Sequence, residues 1–206
     1  MKNIKSSPGI SFLSYFNEAK IVNQNRIFIL FILFLLNGCQ IKADQQENKN
    51  ISEMKKIEVG DTIPDITLKD QDGKPFNLKS ETKGKNVVLY FYPMDDTRGC
   101  TAEACSFRDQ INDFIDANTA VVGISGQSEE SHKKFADKNN LPFTLLSDKG
   151  NKIRKMFGVP SNFFGLFPGR VTYVINKEHK VVYIFNSQTK IQDHIDNSLN
   201  ILRNSE

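Results

Sequence analysis

Tyr90–Cys105 reads "YFYPMDDTRGCTAEAC" and holds two of the chain's three cysteines, five positions apart, where a β-like apolar run gives way to a helical pattern. Upstream, Asn86 to Tyr92 ("NVVLYFY") is a continuous apolar run rich in β-branched and aromatic residues, the pattern of a central strand buried on both faces. Pro93 ends it, because proline has no N–H to give to a sheet ladder. Downstream, from Thr101 to Asn118, apolar residues fall at Ala104, Phe107, Ile111, Phe114 and Ile115, the spacing of an amphipathic helix. Cys100 is therefore expected at a helix start just beyond a central strand.

The flanking sequence supplies the rest of the architecture. "VGDTIPDITLKDQDGKPFNL" has an Asp72-Gly73 turn between two short β-like stretches and reads as a hairpin. "AVVGIS" (Ala120 to Ser125) and "LPFTLLSD" (Leu141 to Asp148) read as strands, with helical patterns over Glu129 to Asn139 and Lys149 to Phe157. A loop rich in Gly, Pro and Phe follows. "RVTYVINKEHKVVYIFN" (Arg170 to Asn186) is a second hairpin turning around Lys177 to Lys180, and Ile191, Ile195, Leu199 and Leu202 share one face of a closing helix. This order predicts an α/β fold with a mixed central sheet flanked by helices, and it suits a thioredoxin-like fold.

The chain has 206 residues, 39% apolar and 25% charged, enough for one domain with a real core. Its formal charge of +3 is accounted for by the first 38 residues, where Lys2, Lys5, Lys20 and Arg26 face only Glu18. The remainder is formally neutral, which argues against nucleic-acid binding. Ile27 to Leu36 ("IFILFILFLL") is too short to span a bilayer, which takes about 20 apolar residues, and has the length of a signal-peptide core. The following "LNGC" resembles a bacterial lipobox with Cys39 as the lipidated residue. The expected organisation is thus a lipoprotein signal peptide over 1–38, a flexible tether over 39–56 and one folded, thioredoxin-like domain over 57–206. That places the protein outside the cytoplasm on a membrane through Cys39, or in the cytoplasm if translation starts after the leader.

A thiol in the first turn of a helix sits near the positive end of the helix dipole and among unpaired N–H groups, both of which favour the thiolate. Arg98 is two residues from Cys100, and Thr97 can turn its hydroxyl toward the sulfur or toward an oxygen bound beside it. Five residues of ideal helix separate the Cα atoms of Cys100 and Cys105 by about 8.6 Å, whereas a disulfide needs less than about 7 Å. The pair cannot close while the helix is intact, which fits a switch better than a staple. The plain alternative is two unrelated cysteines, one a small core residue and one incidental. A zinc site lacks ligands, since His132, His179 and His194 are scattered and read as surface or helix-end residues. A CxxC pair, a GxGxxG and a P-loop are all absent from the sequence, so no metal, flavin or nucleotide cofactor is expected.

"YPMDDTRGCTAEACSFRD" resembles the peroxiredoxins, whose PxxxTxxC pattern is met by Pro93, Thr97 and Cys100. Cys105, five positions on, is similar to the resolving cysteine of the peroxiredoxin Q group, also called bacterioferritin comigratory proteins. The resemblance extends from Ile57 to the C-terminus, and "FGVPSNFFGLFPGRVTYVINKEHKVVYIFNSQ" looks most like the chloroplast-type branch. It implies a thiol peroxidase in which Cys100 attacks hydrogen peroxide or an alkyl hydroperoxide and becomes a sulfenic acid. Thr97 and Arg170 would hold the peroxide oxygens, and Pro93 would shield the pocket. Cys105 would resolve the sulfenic acid to an intramolecular disulfide, which a thioredoxin-like protein would reduce. A monomer is the family expectation. Arg98 departs from the family, which usually has proline there; the change frees the loop before Cys100 and adds a cation near the thiol. Glu103, also matched, reads as an ordinary carboxylate in a first helical turn, with no catalytic role assigned. Two other functions stay open at this point: a membrane-tethered oxidoreductase acting on protein disulfides, and a binding module with vestigial cysteines.

Overall fold

The computed structural model describes residues 56–162 and 167–204. In chain order they form β1 (Thr67–Asp70), β2 (Pro75–Asn77), α1 (Leu78–Glu81), β3 (Asn86–Phe91), α2 (Arg98–Asp109), α3 (Ile111–Asp116), β4 (Thr119–Ser125), α4 (Glu129–Asn139), β5 (Thr144–Ser147) and α5 (Lys152–Met156). The short strands β6 (Ser161–Asn162) and β7 (Phe167–Pro168) pair with each other, and β8 (Val171–Ile175), β9 (Val181–Asn186) and α6 (Ile191–Arg203) complete the fold. The main sheet has the order β2-β1-β5-β4-β3-β8-β9. Strands β3, β4 and β5 run parallel, while β8 is antiparallel to β3. This is the expected mixed sheet of a thioredoxin-like α/β fold.

Alternation along β3 builds a core on each face of the sheet. Val87, Leu89 and Phe91 face one side, with Leu78 of α1 and Ile153 of α5. Val88, Tyr90 and the following Tyr92 face the other, with Phe107 of α2, Phe114 of α3, Phe135 of α4 and Leu199 of α6. Such double burial explains why β3 has no polar alternation.

Two helices differ from the sequence expectation. The single helix over Thr101 to Asn118 is divided at Gln110, whose backbone (φ −109°, ψ 16°) leaves the helical region. The break turns Phe114 onto Phe107, with ring centroids 5.7 Å apart, and leaves Ile115 61% exposed although it continues the apolar stripe. The helix expected from Lys149 begins only at Lys152, because Gly150 and Asn151 take positive φ (86° and 57°). The carboxylate of Asp148 caps it, accepting from the Ile153 and Arg154 amides at 3.0 and 2.9 Å.

Gly123 of β4 lies between Tyr90 and Leu145 in the ladder. A Cβ there would stand 2.8 Å from the Tyr90 ring and from Leu145 Cδ2. Gly123→Ala is therefore expected to destabilise the protein by about 1–3 kcal/mol through overpacking. A urea midpoint equal to that of the unaltered protein would show that Tyr90 moves aside without cost.

Candidate active site

The chain leaves β3 at Phe91, crosses a loop through Pro93 and Thr97, and enters α2. Thr97 is the N-cap residue, so Cys100 is the third residue of the helix and lies within its first turn. The thiol is 2% exposed. Because β8 is antiparallel to β3 and Phe91 pairs with Val171, the residue preceding Val171 is delivered to the end of β3 where the loop begins. That residue is Arg170, which is 3% exposed and donates through Nη2 to Cys100 Sγ at 3.2 Å. A Cβ at Gly99 would sit 3.3 Å from the same Nη2, so a residue without a side chain lets the guanidinium approach.

Arg170 also bridges to a carboxylate. Its Nη1 donates to Oε2 of Glu103, one turn along α2 from Cys100 and fully buried. Burial pushes the Glu103 carboxyl up to about 7, and Arg170 holds it from rising further. Burial works against the charge of Arg170, but Glu103 and Cys100 outweigh it and hold the guanidinium above its ordinary range. A second buried guanidinium, that of Arg154, donates to the carbonyls of Gly169 (2.9 Å) and Tyr92 (3.5 Å), tying the residue before Arg170 to the end of β3. Its desolvation lowers it to about 10.

The loop itself is pinned at Asp95. Its buried carboxylate accepts from the Tyr92 hydroxyl (2.8 Å), the Ser131 hydroxyl (2.6 Å) and His132 Nδ1 (2.9 Å). Burial opposes ionisation of Asp95, yet His132, Ser131 and Tyr92 together hold it below the ordinary carboxylate range. Cys105 is half-buried on α2 and donates weakly to Asn139 Oδ1 of α4 at 3.9 Å. Both cysteines are free thiols within one unbroken helix.

Of the residues singled out in the sequence, Cys100 and Arg170 meet directly. Thr97 is exposed and its hydroxyl donates to the Met94 carbonyl at 3.2 Å rather than to the sulfur. Pro93 is half-buried in the same loop, and Arg98 is exposed, so the cation at the thiol is that of Arg170. Glu103 was read as a helix-turn carboxylate and is instead a buried partner of Arg170. Its spacing of three from Cys100, one helical turn, was the signal that could have placed it on the same face. His132 and His194 were read as surface or helix-end residues; both are fully buried. Arg154 was missed, and nothing in its local pattern distinguishes it from a surface arginine.

A thiol in the first turn of a helix, beside a central strand of a thioredoxin-like sheet and under a buried guanidinium, is the arrangement of a thiol-dependent redox protein. The profile of the AhpC/TSA family matches residues 59–184, and the chain belongs to that family. It is 55% identical over 148 residues to the chloroplastic peroxiredoxin Q of Sedum lineare, covering 72% of this chain and 79% of that one. It is 54% identical over 148 residues to the chloroplastic peroxiredoxin Q of Arabidopsis thaliana, covering 72% and 68%. Among solved structures, peroxidoxin BcpB of Mycobacterium tuberculosis superposes with a TM-score of 0.69 at 36% identity, covering 73% of this chain and 99% of that one. PrxQ of Xylella fastidiosa gives 0.67 at 28% identity, covering 73% and 98%.

These relatives correct the localisation expected from the sequence. The reading of an extracytoplasmic, lipid-anchored bacterial lipoprotein, with a cytoplasmic alternative, is overturned by curated relatives that are chloroplastic. A ten-residue apolar run ahead of a cysteine meets only a length and hydrophobicity criterion, which unrelated leaders also satisfy. The leader over 1–38, Cys39 and all but the last residue of the tether over 39–56 lie outside the described residues.

Proposed function

We propose that Cys100 is the peroxidatic residue of this thiol peroxidase and Cys105 its resolving partner. The chain is a peroxiredoxin, an antioxidant oxidoreductase that reduces peroxides at the expense of a thiol reductant. The observation that carries the residue assignment is the Arg170 Nη2 donor 3.2 Å from Cys100 Sγ at the start of α2. A thiolate there attacks the terminal oxygen of the peroxide; the O–O bond breaks, the sulfur becomes a sulfenic acid and the departing alkoxide or hydroxide takes a proton. Arg170 would stabilise both the thiolate and the charge growing on the oxygens, and Thr97, with the first-turn amides of α2, would hold the peroxide oxygens once its hydroxyl leaves the Met94 carbonyl. Pro93, half-buried in the same loop, would shield the pocket.

Cys105 then attacks the sulfenic sulfur. An S–S bond forms and water leaves, which requires the first turns of α2 to unwind, because intact helix holds the two Cα atoms beyond disulfide reach. A thioredoxin-like dithiol completes the cycle by exchange. We assign the catalytic domain to 57–206 and a monomeric working form, in which both cysteines of a cycle come from one chain. The alternative of a protein-disulfide oxidoreductase is not favoured, since the chain lacks the CxxC pair.

The test is a single-turnover titration of the reduced protein. One equivalent of peroxide is expected to remove the free thiols of Cys100 and Cys105 together and to leave a peptide cross-linked between them, with thioredoxin-dependent consumption thereafter. Insulin reduction without peroxide loss would overturn the reading.

A further inference from the structure

Residues 93–99 carry the chain from the end of β3 to Cys100, and among them Asp95 alone is buried; the others are exposed or half-buried. Its carboxylate accepts from the Tyr92 hydroxyl at 2.8 Å and, at the start of α4, from Ser131 Oγ at 2.6 Å and His132 Nδ1 at 2.9 Å. Its amide donates to Gln127 Oε1 in the connection from β4 to α4. A carboxylate only accepts, so Nδ1 of His132 is the donor in that contact. His132 is fully buried, and its Nε2 has no partner among the described residues, so the hydrogen bonding of the ring lies wholly within the Asp95 cluster. A second tie, Lys138 Nζ to Asp96 Oδ1 at 2.7 Å, is exposed at both ends and adds little.

This anchor bears on the step in which Cys105 must reach Cys100. The turn that carries Cys105 is rooted in the core by Ala104 and Phe107, both buried, with the Phe107 ring 4.8 Å from that of Tyr90. At the other end of the segment Arg98 is exposed and Gly99 half-buried, so α2 has less to lose by unwinding from its N-terminus. Two things oppose that: the Arg170 contacts with Cys100 and Glu103, and the loop ahead of the helix. The first hydrogen bond of α2 runs from the Thr101 amide to the Thr97 carbonyl at 2.9 Å, and Thr97 stands two residues from Asp95. Fixing Asp95 therefore fixes the acceptor on which the first turn is built.

Resting on the peroxidase reading above, we propose that Asp95 and His132 are positioning residues for the disulfide step: they latch the loop before Cys100 to α4 and set how readily the first turn of α2 unwinds toward Cys105. Neither touches a reacting atom; both act through Thr97. While the wound form remains the major one, loosening the latch multiplies the small unwound fraction and hardly changes the wound one. Disulfide formation then quickens while the attack on peroxide keeps its rate.

The experiment compares His132→Leu, which removes the donor, with His132→Asn, whose Nδ2 can stand where the imidazole Nδ1 does. Rapid-quench alkylation of the full-length reduced protein after one equivalent of hydrogen peroxide, read by peptide mass spectrometry, follows loss of the Cys100 thiol and growth of the Cys100–Cys105 disulfide separately. In His132→Leu the disulfide is expected to form about tenfold faster from the sulfenic acid, the factor by which one lost hydrogen bond shifts such a balance, with thiol loss within about twofold of the unaltered protein. His132→Asn is expected to restore the slower disulfide step. Leu78→Ala, which loosens the core on the opposite face of the sheet, is expected to leave that step unchanged. Amide hydrogen exchange of the reduced protein supplies a readout free of peroxide: amides 101–105 are expected to exchange about tenfold faster in His132→Leu, out of proportion to any change in β3. Should His132→Leu fail to fold, Ser131→Ala removes the neighbouring hydroxyl donor and is expected to shift both readouts the same way by about threefold. An unchanged disulfide rate in a folded variant, the same acceleration in Leu78→Ala, or exchange rising equally over α2 and β3 overturns the proposal. Peroxide consumption by the unaltered protein is measured alongside, so failure of the latch is distinct from failure of the peroxidase reading.

Discussion

Cys100→Ser protein is expected to consume no peroxide above the uncatalysed rate, while Cys105→Ser protein consumes one equivalent at the normal rate and then stops. The hydroxyl of serine stays protonated at neutral pH and is a poor nucleophile, so nothing in the helix start or Arg170 can rescue the attack. Cys105 lies outside the attack itself, half-buried beside Asn139. Its removal strands Cys100 as a sulfenic acid, which mass spectrometry would find as one added oxygen when peroxide is held to one equivalent. A small external thiol should restore turnover in Cys105→Ser and not in Cys100→Ser. Equal residual turnover in the two variants would refute the assignment of roles.

Replacing Arg170 by methionine is expected to lower the second-order rate constant for peroxide by roughly 10²–10³-fold, the usual cost of removing one donor aimed at developing charge. The substitution keeps much of the side-chain volume but removes both the donor to Cys100 Sγ and the partner of Glu103. Glu103 would be left buried without its cation, and since Arg170 is what holds that carboxyl down, it should rise above its present value of about 7 and stay neutral. Breaking a buried pair typically costs 3–5 kcal/mol, and protonation of the orphan recovers part of it, so a loss of about 2–4 kcal/mol in urea unfolding is expected. Arg170→Lys should restore charge but not rate, because one ammonium cannot reach both partners in the forked geometry of a guanidinium. Stopped-flow measurement of peroxide reduction checks the first part; a rate within threefold of the unaltered protein would remove Arg170 from the mechanism.

The correspondence between sequence and structure is uneven for identifiable reasons. Strand β3 and helix α4 emerge with the expected bounds at their starts, because each has a clean local pattern and a defined stop or cap: Ser128 caps α4 by accepting from the Ser131 amide, and Asn140 ends it at positive φ. The split of α2 from α3 was not legible, since the apolar stripe continues through Ile115 and only packing of Phe114 on Phe107 decides which way the second segment turns. Arg170 could be chosen from the residues only through its resemblance to a family, as an arginine at a strand start is ordinarily a surface residue.

What the sequence determined by itself is local: an apolar run stopped by Pro93, a thiol in the first turn of the helix after it, and a second thiol five residues on that helix geometry keeps out of bonding reach. Those follow from periodicity and bond geometry, which act over a few residues. The tertiary structure alone decided that Arg170, 70 residues from Cys100, and Glu103, 67 residues from Arg170, share one buried ion cluster, and that His194 comes within 3.7 Å of Glu103. That outcome depends on β8 pairing antiparallel to β3 in one register; a shift of one residue would turn its side chains to the opposite face of the sheet and carry the guanidinium away from the sulfur.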